Sequence, residues 1–438
     1  MYRLKARVKR PKALLVVTLT MSMSFLILYS MLDLQYSHAQ SEVLEIPLTA
    51  TPLNVTIMTK TSVKERQKTT ASPNQVSSSA SVLEKVSISE TFWKSVPKNS
   101  AYWNRKFHSM LRVLDHMENV TSHESPDRFH CMRESDESLH LNIPDFNSYP
   151  ALYQDFLHSM ACHDSQIVID QPNKCGLDNG DDHVFLLFAI KSTPQHFMQR
   201  QAVRDTWGKE GVYLNGLRVR TVFLLGRSHV DDPNLDKLIS FEAKEFGDLL
   251  IWDFQDSFYN LTLKENVFFK WLLQSCPRVS FVFKGDDDVF ANTHAILNYL
   301  KTLNPTMASK LYTGQIISQA SPLRDRKNKY YVPQSFYEGA YPPYAGGGGF
   351  LFSGSLIHSL YSISRYIPFF PIDDVYTGMC FQALGILPEK HKGFQTFDIR
   401  EQDRDNACVH RDLLLVHQRD PQQTTRLWRA MHSPLLTC

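Results

Sequence analysis

The run FVFKGDDDV over residues 281–289 sets three consecutive carboxylates, Asp286, Asp287 and Asp288, directly after a short apolar segment of β type. Adjacent like charges repel one another. On a strand or tight turn, residues two apart project the same way, so Asp286 and Asp288 could share one cation while Asp287 points elsewhere. Carboxylate oxygens favour a hard divalent ion such as Mn²⁺ or Mg²⁺. An acidic surface turn is the plainer explanation of an isolated Asp-x-Asp; placement after a buried strand argues for metal.

Other residues could complete a reaction centre. A second acidic pair, Asp373 and Asp374, lies in FPIDDVYTG over 370–378. A carboxylate there could act as general base on a hydroxyl or cap a helix. Since 375–384 has helical spacing, Asp373 could cap that helix, which would leave Asp374 in the first turn and free to face a cleft. Arg200 and Arg204, four apart in QRQAVRDTWG over 199–208, share one helix face and offer cations to a nucleotide diphosphate. Solvated helix arginines are the alternative. In YPPYAGGGGF over 341–350, four glycines, Gly347 and Gly348 central among them, allow a ligand to approach the backbone closely. The flanking Tyr and Phe could stack on sugar faces, whereas a flexible loop is the ordinary reading of such a run. His417 ends an apolar run over 413–417, and a lone histidine is more often structural than ligating.

Short β-rich runs at 184–190, 219–225, 249–252 and 281–283 must position these groups, with helical spacing at 199–207, 235–246, 263–273 and 294–303. Such alternation predicts an α/β domain with a largely parallel sheet, where ligands collect at the carboxyl ends of strands. No internal repeat appears, and no glycine spacing of the P-loop or dinucleotide type.

Residues 13–32 carry no charge over about one membrane thickness of helix, and Arg3, Lys5, Arg7, Lys9, Arg10 and Lys12 precede them. That predicts an uncleaved anchor with residues 1–12 cytosolic, a cleaved signal peptide being the alternative. Residues 33–91 are Ser/Thr-rich without a periodic apolar face and read as a flexible stem. An extension over 92–176 and a catalytic domain over 177–438 complete the partition. The net charge of +2 gives no case for a nucleic-acid partner. All 7 cysteines lie beyond the anchor, which suits a lumenal disulfide framework better than a zinc site. Asn54, Asn119 and Asn260 head Asn-x-Ser/Thr tripeptides compatible with that compartment.

From about residue 149 to the C-terminus the chain resembles the β-1,3-glycosyltransferase family, which includes β-1,3-galactosyltransferases, β-1,3-N-acetylglucosaminyltransferases and, more distantly, Fringe enzymes. The motifs that carry the resemblance are, in order, RQAVRDTWG (200–208), VFLLG (222–226), DSFYNLTLK (256–264), KGDDDV (284–289), the tyrosine–glycine run and IDDVYTG (372–378). The segments IDQPNKC (169–175) and PEKHKGF (388–394), the terminal cysteine, and FWK with YWNR in the extension favour the branch that extends poly-N-acetyllactosamine. The resemblance implies a GT-A fold, with a Rossmann-like sheet holding UDP at its strand ends. Asp286 would face the ribose, and Asp288 and His417 would hold Mn²⁺, with Mg²⁺ as a substitute. Asp374 would be the base, while Arg200, Arg204, Asp256, Lys264, Asp287, Gly347 and Gly348 would line the donor. It further implies a UDP-sugar donor, a galactose-terminated glycan on glycoprotein or glycolipid as acceptor, residence in the Golgi membrane, and room for a homo- or hetero-dimer with a related transferase. The pairs Cys162–Cys175, Cys276–Cys380 and Cys408–Cys438 would form, leaving Cys131 unpaired. A β-1,3-galactosyltransferase using UDP-Gal, a non-catalytic glycan-binding protein and a metal-dependent phosphodiesterase are the competing readings.

Overall fold

A computed structural model describes residues 87–117, 133–176, 183–214, 216–228 and 232–438. The expected cytosolic tail and anchor, nearly all of the expected stem, Asn54, Asn119 and Cys131 lie outside the described residues. Among the described residues no helix is long and apolar enough to cross a membrane.

The strands, in chain order, are β1 (Ile167–Ile169), β2 (Val184–Lys191), β3 (Gly211–Tyr213), β4 (Leu217–Arg227), β5 (Leu249–Gln255), β6 (Phe281–Asp286), β7 (Phe290–Ala291), β8 (Tyr312–Ile317), β9 (Tyr344–Ser353), β10 (Glu389–Lys390), β11 (Phe394–Gln395) and β12 (Leu415–Val416). The larger sheet runs β1-β5-β4-β2-β6-β9-β8-β10 with β3 on the side of β4, and β11, β12 and β7 form a second, small sheet. Its centre, β5, β4, β2 and β6, is parallel. The flanks are not: β1 is antiparallel to β5, β9 to β6, and β8 to β9. The sheet is therefore mixed, which corrects the expectation of a largely parallel one. The four runs conspicuous in the sequence are the four parallel strands. They are conspicuous because both faces are buried: on β2, Leu187 and Ala189 pack into one apolar cluster while Leu186, Phe188 and Ile190 pack into the other.

The helices fall within a few residues of the predicted spans, at Phe197–Asp205, Pro233–Phe246, Leu261–Ser275, Thr293–Thr302 and Asp373–Ala383. Local chemistry sets their ends. Asp232 caps Pro233–Phe246 by accepting from the amides of Asn234 and Leu235, and Gly247 ends it at φ 59°. The extension does not stand apart: Phe92, Trp103, Phe107 and Tyr153 are buried in the same cluster as Phe268, Leu360 and Tyr376. The Trp103 indole donates to the carbonyl of Pro368 at 3.0 Å.

Two of the expected disulfides are corrected. Cys175 joins Cys276, with Cα atoms 5.3 Å apart, and Cys380 is a buried free thiol. Cys162 is disulfide-bonded, but not to Cys175. The reason is local. Trp271 donates to Asp170 at 2.8 Å and Lys174 to the carbonyl of Gly247 at 3.0 Å, so the segment after β1 docks on the end of Leu261–Ser275, beside Cys276. The pair Cys408–Cys438 forms as expected.

Candidate active site

The parallel centre of the sheet delivers its last residues to one edge, and β6 delivers Asp286 there. Asp287 and Asp288 occupy the turn into β7. Because β12 lies antiparallel to β7, with Val416 opposite Phe290, the next residue of that chain, His417, reaches the acidic turn. Its Nε2 lies 3.2 Å from Asp288 Oδ1 and 3.9 Å from Asp286 Oδ2. Ligand atoms of Asp286, Asp288 and His417 all fall within 4.8 Å of one another.

The chemistry of this donor set fits a divalent ion. His417 Nδ1 stands 2.9 Å from the carbonyl oxygen of Thr396. A carbonyl can only accept, so Nδ1 carries a proton; Nε2 donates to Asp288 while the ring is protonated and, in the neutral tautomer, has its lone pair available to a metal ion. One imidazole nitrogen and two carboxylate oxygens suit Mn²⁺ or Mg²⁺. Burial and the Asp288 charge push the Asp286 carboxyl up, with Lys191 opposing, and burial opposes but His417 secures the ionised form of Asp288.

Asp287 points elsewhere, as the two-residue period requires: it accepts from Ser192 Oγ at 2.6 Å and pairs with His196 Nδ1 at 2.9 Å. It braces the turn after β2. Arg200 and Arg204 do share a face, but they are spent inside the protein. Arg200 is fully buried, with the Nε and Nη2 edge of its guanidinium on Glu242 (2.8 and 2.6 Å) and further donors on Ser192, Thr193 and Pro194. Arg204 bonds Asp248 at 2.7 and 2.9 Å and Glu242 at 2.7 Å. Lys264 pairs with Asp256 at 2.9 Å and donates to the carbonyl of Ser192, while Asp256 accepts from the Gly226 amide. These residues shape the strand ends from within, through pairs inside the protein.

Asp374 lies in the first turn of Asp373–Ala383, as expected. Asp373 is not a cap: the helix begins at Asp373 itself, Ile372 precedes it without a side-chain cap, and the Asp373 carboxylate pairs with Lys191 at 2.8 Å. Asp374 accepts from the Gly347 amide and from the Val375 amide, each at 3.0 Å. Burial first and the Asp373 charge second push its carboxyl up to about 7, with Lys191 and the two amides opposing. A carboxylate in that range is matched to taking a proton near neutrality.

The four glycines form part of β9 and not a loop. A Cβ on Gly347 would stand 3.1 Å from Asp374 Oδ2, and one on Gly348 would stand 3.1 Å from the His417 ring. Neighbouring residues of one strand thus hold the base on one side and the metal-type histidine on the other.

Sequence reasoning missed Lys191. It ends β2 in register with Asp286, and its ammonium bridges Asp286 at 3.0 Å and Asp373 at 2.8 Å, joining the two acidic sites. Burial opposes its charge, yet the two carboxylates hold it above the usual lysine range. A lone lysine closing a buried apolar run was the available signal.

The galactosyltransferase family model matches residues 198–392, a span that contains the acidic turn, the glycine strand and Asp374. N-acetyllactosaminide beta-1,3-N-acetylglucosaminyltransferase 2 of Mus musculus is 47% identical over 358 residues, covering 80% of this chain and 89% of the relative. The chain belongs to the β-1,3-glycosyltransferase family. The Homo sapiens counterpart in that family is 45% identical over 80% of this chain and 89% of its own. UDP-GlcNAc:betaGal beta-1,3-N-acetylglucosaminyltransferase 8 of Mus musculus is 39% identical over 86% of this chain and 92% of its own.

Proposed function

We propose that the chain transfers N-acetylglucosamine from UDP-GlcNAc to the 3-hydroxyl of a terminal galactose, with inversion, and so extends poly-N-acetyllactosamine. The observation that carries this reading is the pairing of a three-donor cluster (Asp286, Asp288, His417) with a carboxylate raised to about 7 (Asp374) across one glycine strand. The names of the relatives supply the donor and acceptor. A GT-A assignment is part of this proposal, supported by the parallel strands that end at the acidic turn.

Asp374 takes the proton from the acceptor hydroxyl as that oxygen attacks the anomeric carbon and the bond from sugar to UDP breaks. Asp288 and His417, with Asp286, would hold Mn²⁺ or Mg²⁺, which would supply neutralising charge for the departing diphosphate. The peptide amides of Gly347 and Val375 orient the base. Lys191 fixes the spacing between the two carboxylate groups.

The uncharged run at 13–32 behind its basic residues supports a single-pass anchor with the catalytic domain lumenal, and the family resemblance adds the Golgi membrane as its place. Protease protection of an N-terminal tag in sealed microsomes would contradict that orientation.

Full-length protein in detergent with Mn²⁺ tests the activity, comparing UDP release from UDP-GlcNAc and UDP-Gal on an N-acetyllactosamine acceptor. Turnover confined to UDP-GlcNAc is expected. Turnover with UDP-Gal would move the chain to the galactosyltransferase branch, and none with either would overturn the proposal.

A further inference from the structure

Arg419 follows His417 by two residues and is fully buried, which is unexpected for a cation beside a site suited to a divalent cation. Its contacts account for it. The backbone amide of Arg419 donates to the carbonyl of Asp288 at 2.7 Å, tying the acidic turn to the strand that carries His417. Its Nη1 donates to the carbonyls of His417 at 3.1 Å and Gln418 at 3.0 Å, and lies 2.8 Å from Asp398 Oδ1. The other oxygen of Asp398 meets Arg404 at 2.9 Å, and Arg404 also donates to the carbonyl of Gln418 at 3.1 Å.

Both ends of this cluster have a left-handed backbone at non-glycine residues, φ 70° at Asp398 and φ 60° at Gln418. Such a residue persists only where its surroundings fix it. The two bends do one thing. Asp398 lies two residues after Thr396, whose carbonyl orients the His417 ring, and Gln418 directly follows His417. A single carboxylate thus fastens both bends, through one arginine to the chain after His417 and through another to Gln418.

We propose that Asp398, Arg419 and Arg404 form a clamp that positions His417 against Asp288 and thereby sets the affinity of the metal site, acting as positioning residues and not as ligands. The clamp rests on the metal reading above. It resembles the outer hydrogen-bonding shell of known metal sites, where loss of a partner lowers metal affinity about 10–100-fold.

The test is direct Mn²⁺ binding by full-length protein in the presence of UDP, read from the electron paramagnetic resonance of free Mn²⁺, alongside thermal unfolding. In Asp398→Asn and Arg419→Lys the Mn²⁺ Kd is expected to rise about 10–100-fold, with turnover recovering toward wild type at saturating Mn²⁺. Lysine does not rescue, because its side chain ends one bond short of Nη1, the atom that makes all three contacts. Arg404 is partly exposed, so Arg404→Gln perturbs the core least and shifts the Kd in the same direction. Folded variants that bind Mn²⁺ as wild type does would overturn the clamp, Arg404→Gln deciding if the buried substitutions unfold the chain. Wild-type protein that binds no Mn²⁺ would instead overturn the metal reading on which the clamp depends.

Discussion

Asp374 and Asp373 are neighbours in one helical turn, yet the fold gives them opposite tasks: Lys191 takes the charge of Asp373, and Asp374 keeps only amide donors. Replacing Asp374 by Asn keeps an acceptor for the Gly347 amide but removes the base. Turnover is expected to fall about 10²–10⁴-fold while UDP binding with Mn²⁺, measured by calorimetry, holds. Unchanged turnover would remove the assignment. The acid limb of the wild-type profile has a definite sign. The base must be ionised and its carboxyl is raised to about 7, so kcat/KM should climb through that region and level off above it. Lys191→Met strands Asp286 and Asp373 without their shared cation, and loss of one partner from such a buried pair costs about 3–5 kcal/mol. A marked drop in Tm is expected, with turnover lost as well; a Tm like that of wild type would show that the bridge carries little. The carboxylates themselves were legible, since an acidic triplet behind an apolar strand and a second pair before a helix announce themselves by residue type. Lys191 was not, because its meaning depends on Asp373, which the chain brings to it from 182 residues away.

Among the elements, β9 does most to assemble the site. Its glycines differ in what a side chain would meet, and the difference separates function from fold. A Cβ on Gly348 presses the His417 ring at 3.1 Å, whereas one on Gly349 meets Leu415 at 2.3 Å and Phe283 at 3.0 Å, deep in the core. Gly349→Ala should therefore lower Tm, overpacking of this kind costing about 1–3 kcal/mol. Gly348→Ala should instead weaken Mn²⁺ binding while Tm stays near wild type. Equal losses of Tm in the two variants, with metal affinity unchanged, would refute the division. The sequence showed that backbone approaches something at these glycines, but a strand built from four of them has no β-propensity to reveal it. The helix Phe197–Asp205 shows the reverse case. The four-residue spacing of Arg200 and Arg204 correctly put both on one face, but their partners Glu242 and Asp248 belong to the far end of another helix and the turn beyond it. Periodicity finds a face; only the packing says whether it meets solvent, ligand or another element.

At the scale of the whole molecule, covalent links hold the end of the extension to the helix Leu261–Ser275 and the C-terminal residue to the helix Ala407–Arg411. Cys175 and Cys276 are 101 residues apart, and their bond ties the segment before β2 to the end of Leu261–Ser275, the helix that supplies Lys264 and buries Phe268 and Phe269. Cross-linking so long a loop restricts the unfolded chain strongly, and removing a native disulfide typically costs about 2–5 kcal/mol. Peptide mapping without reduction should recover Cys175 joined to Cys276 and Cys408 joined to Cys438. Cys380 has the opposite character: burial pushes its thiol up, its side chain contacts Tyr376, and it lies within the helix that begins with Asp374 and its neighbour. It should resist alkylation in the native protein and react only after unfolding, since the thiolate is the reactive form. A Cys175→Ser/Cys276→Ser double variant should unfold at lower temperature yet retain Mn²⁺-dependent turnover where it remains folded, because neither sulfur approaches Asp288, His417 or Asp374 in any contact that builds the site. Recovery of a Cys276–Cys380 peptide would contradict this arrangement, in which Cys276 is taken by Cys175 and Cys380 is a buried free thiol.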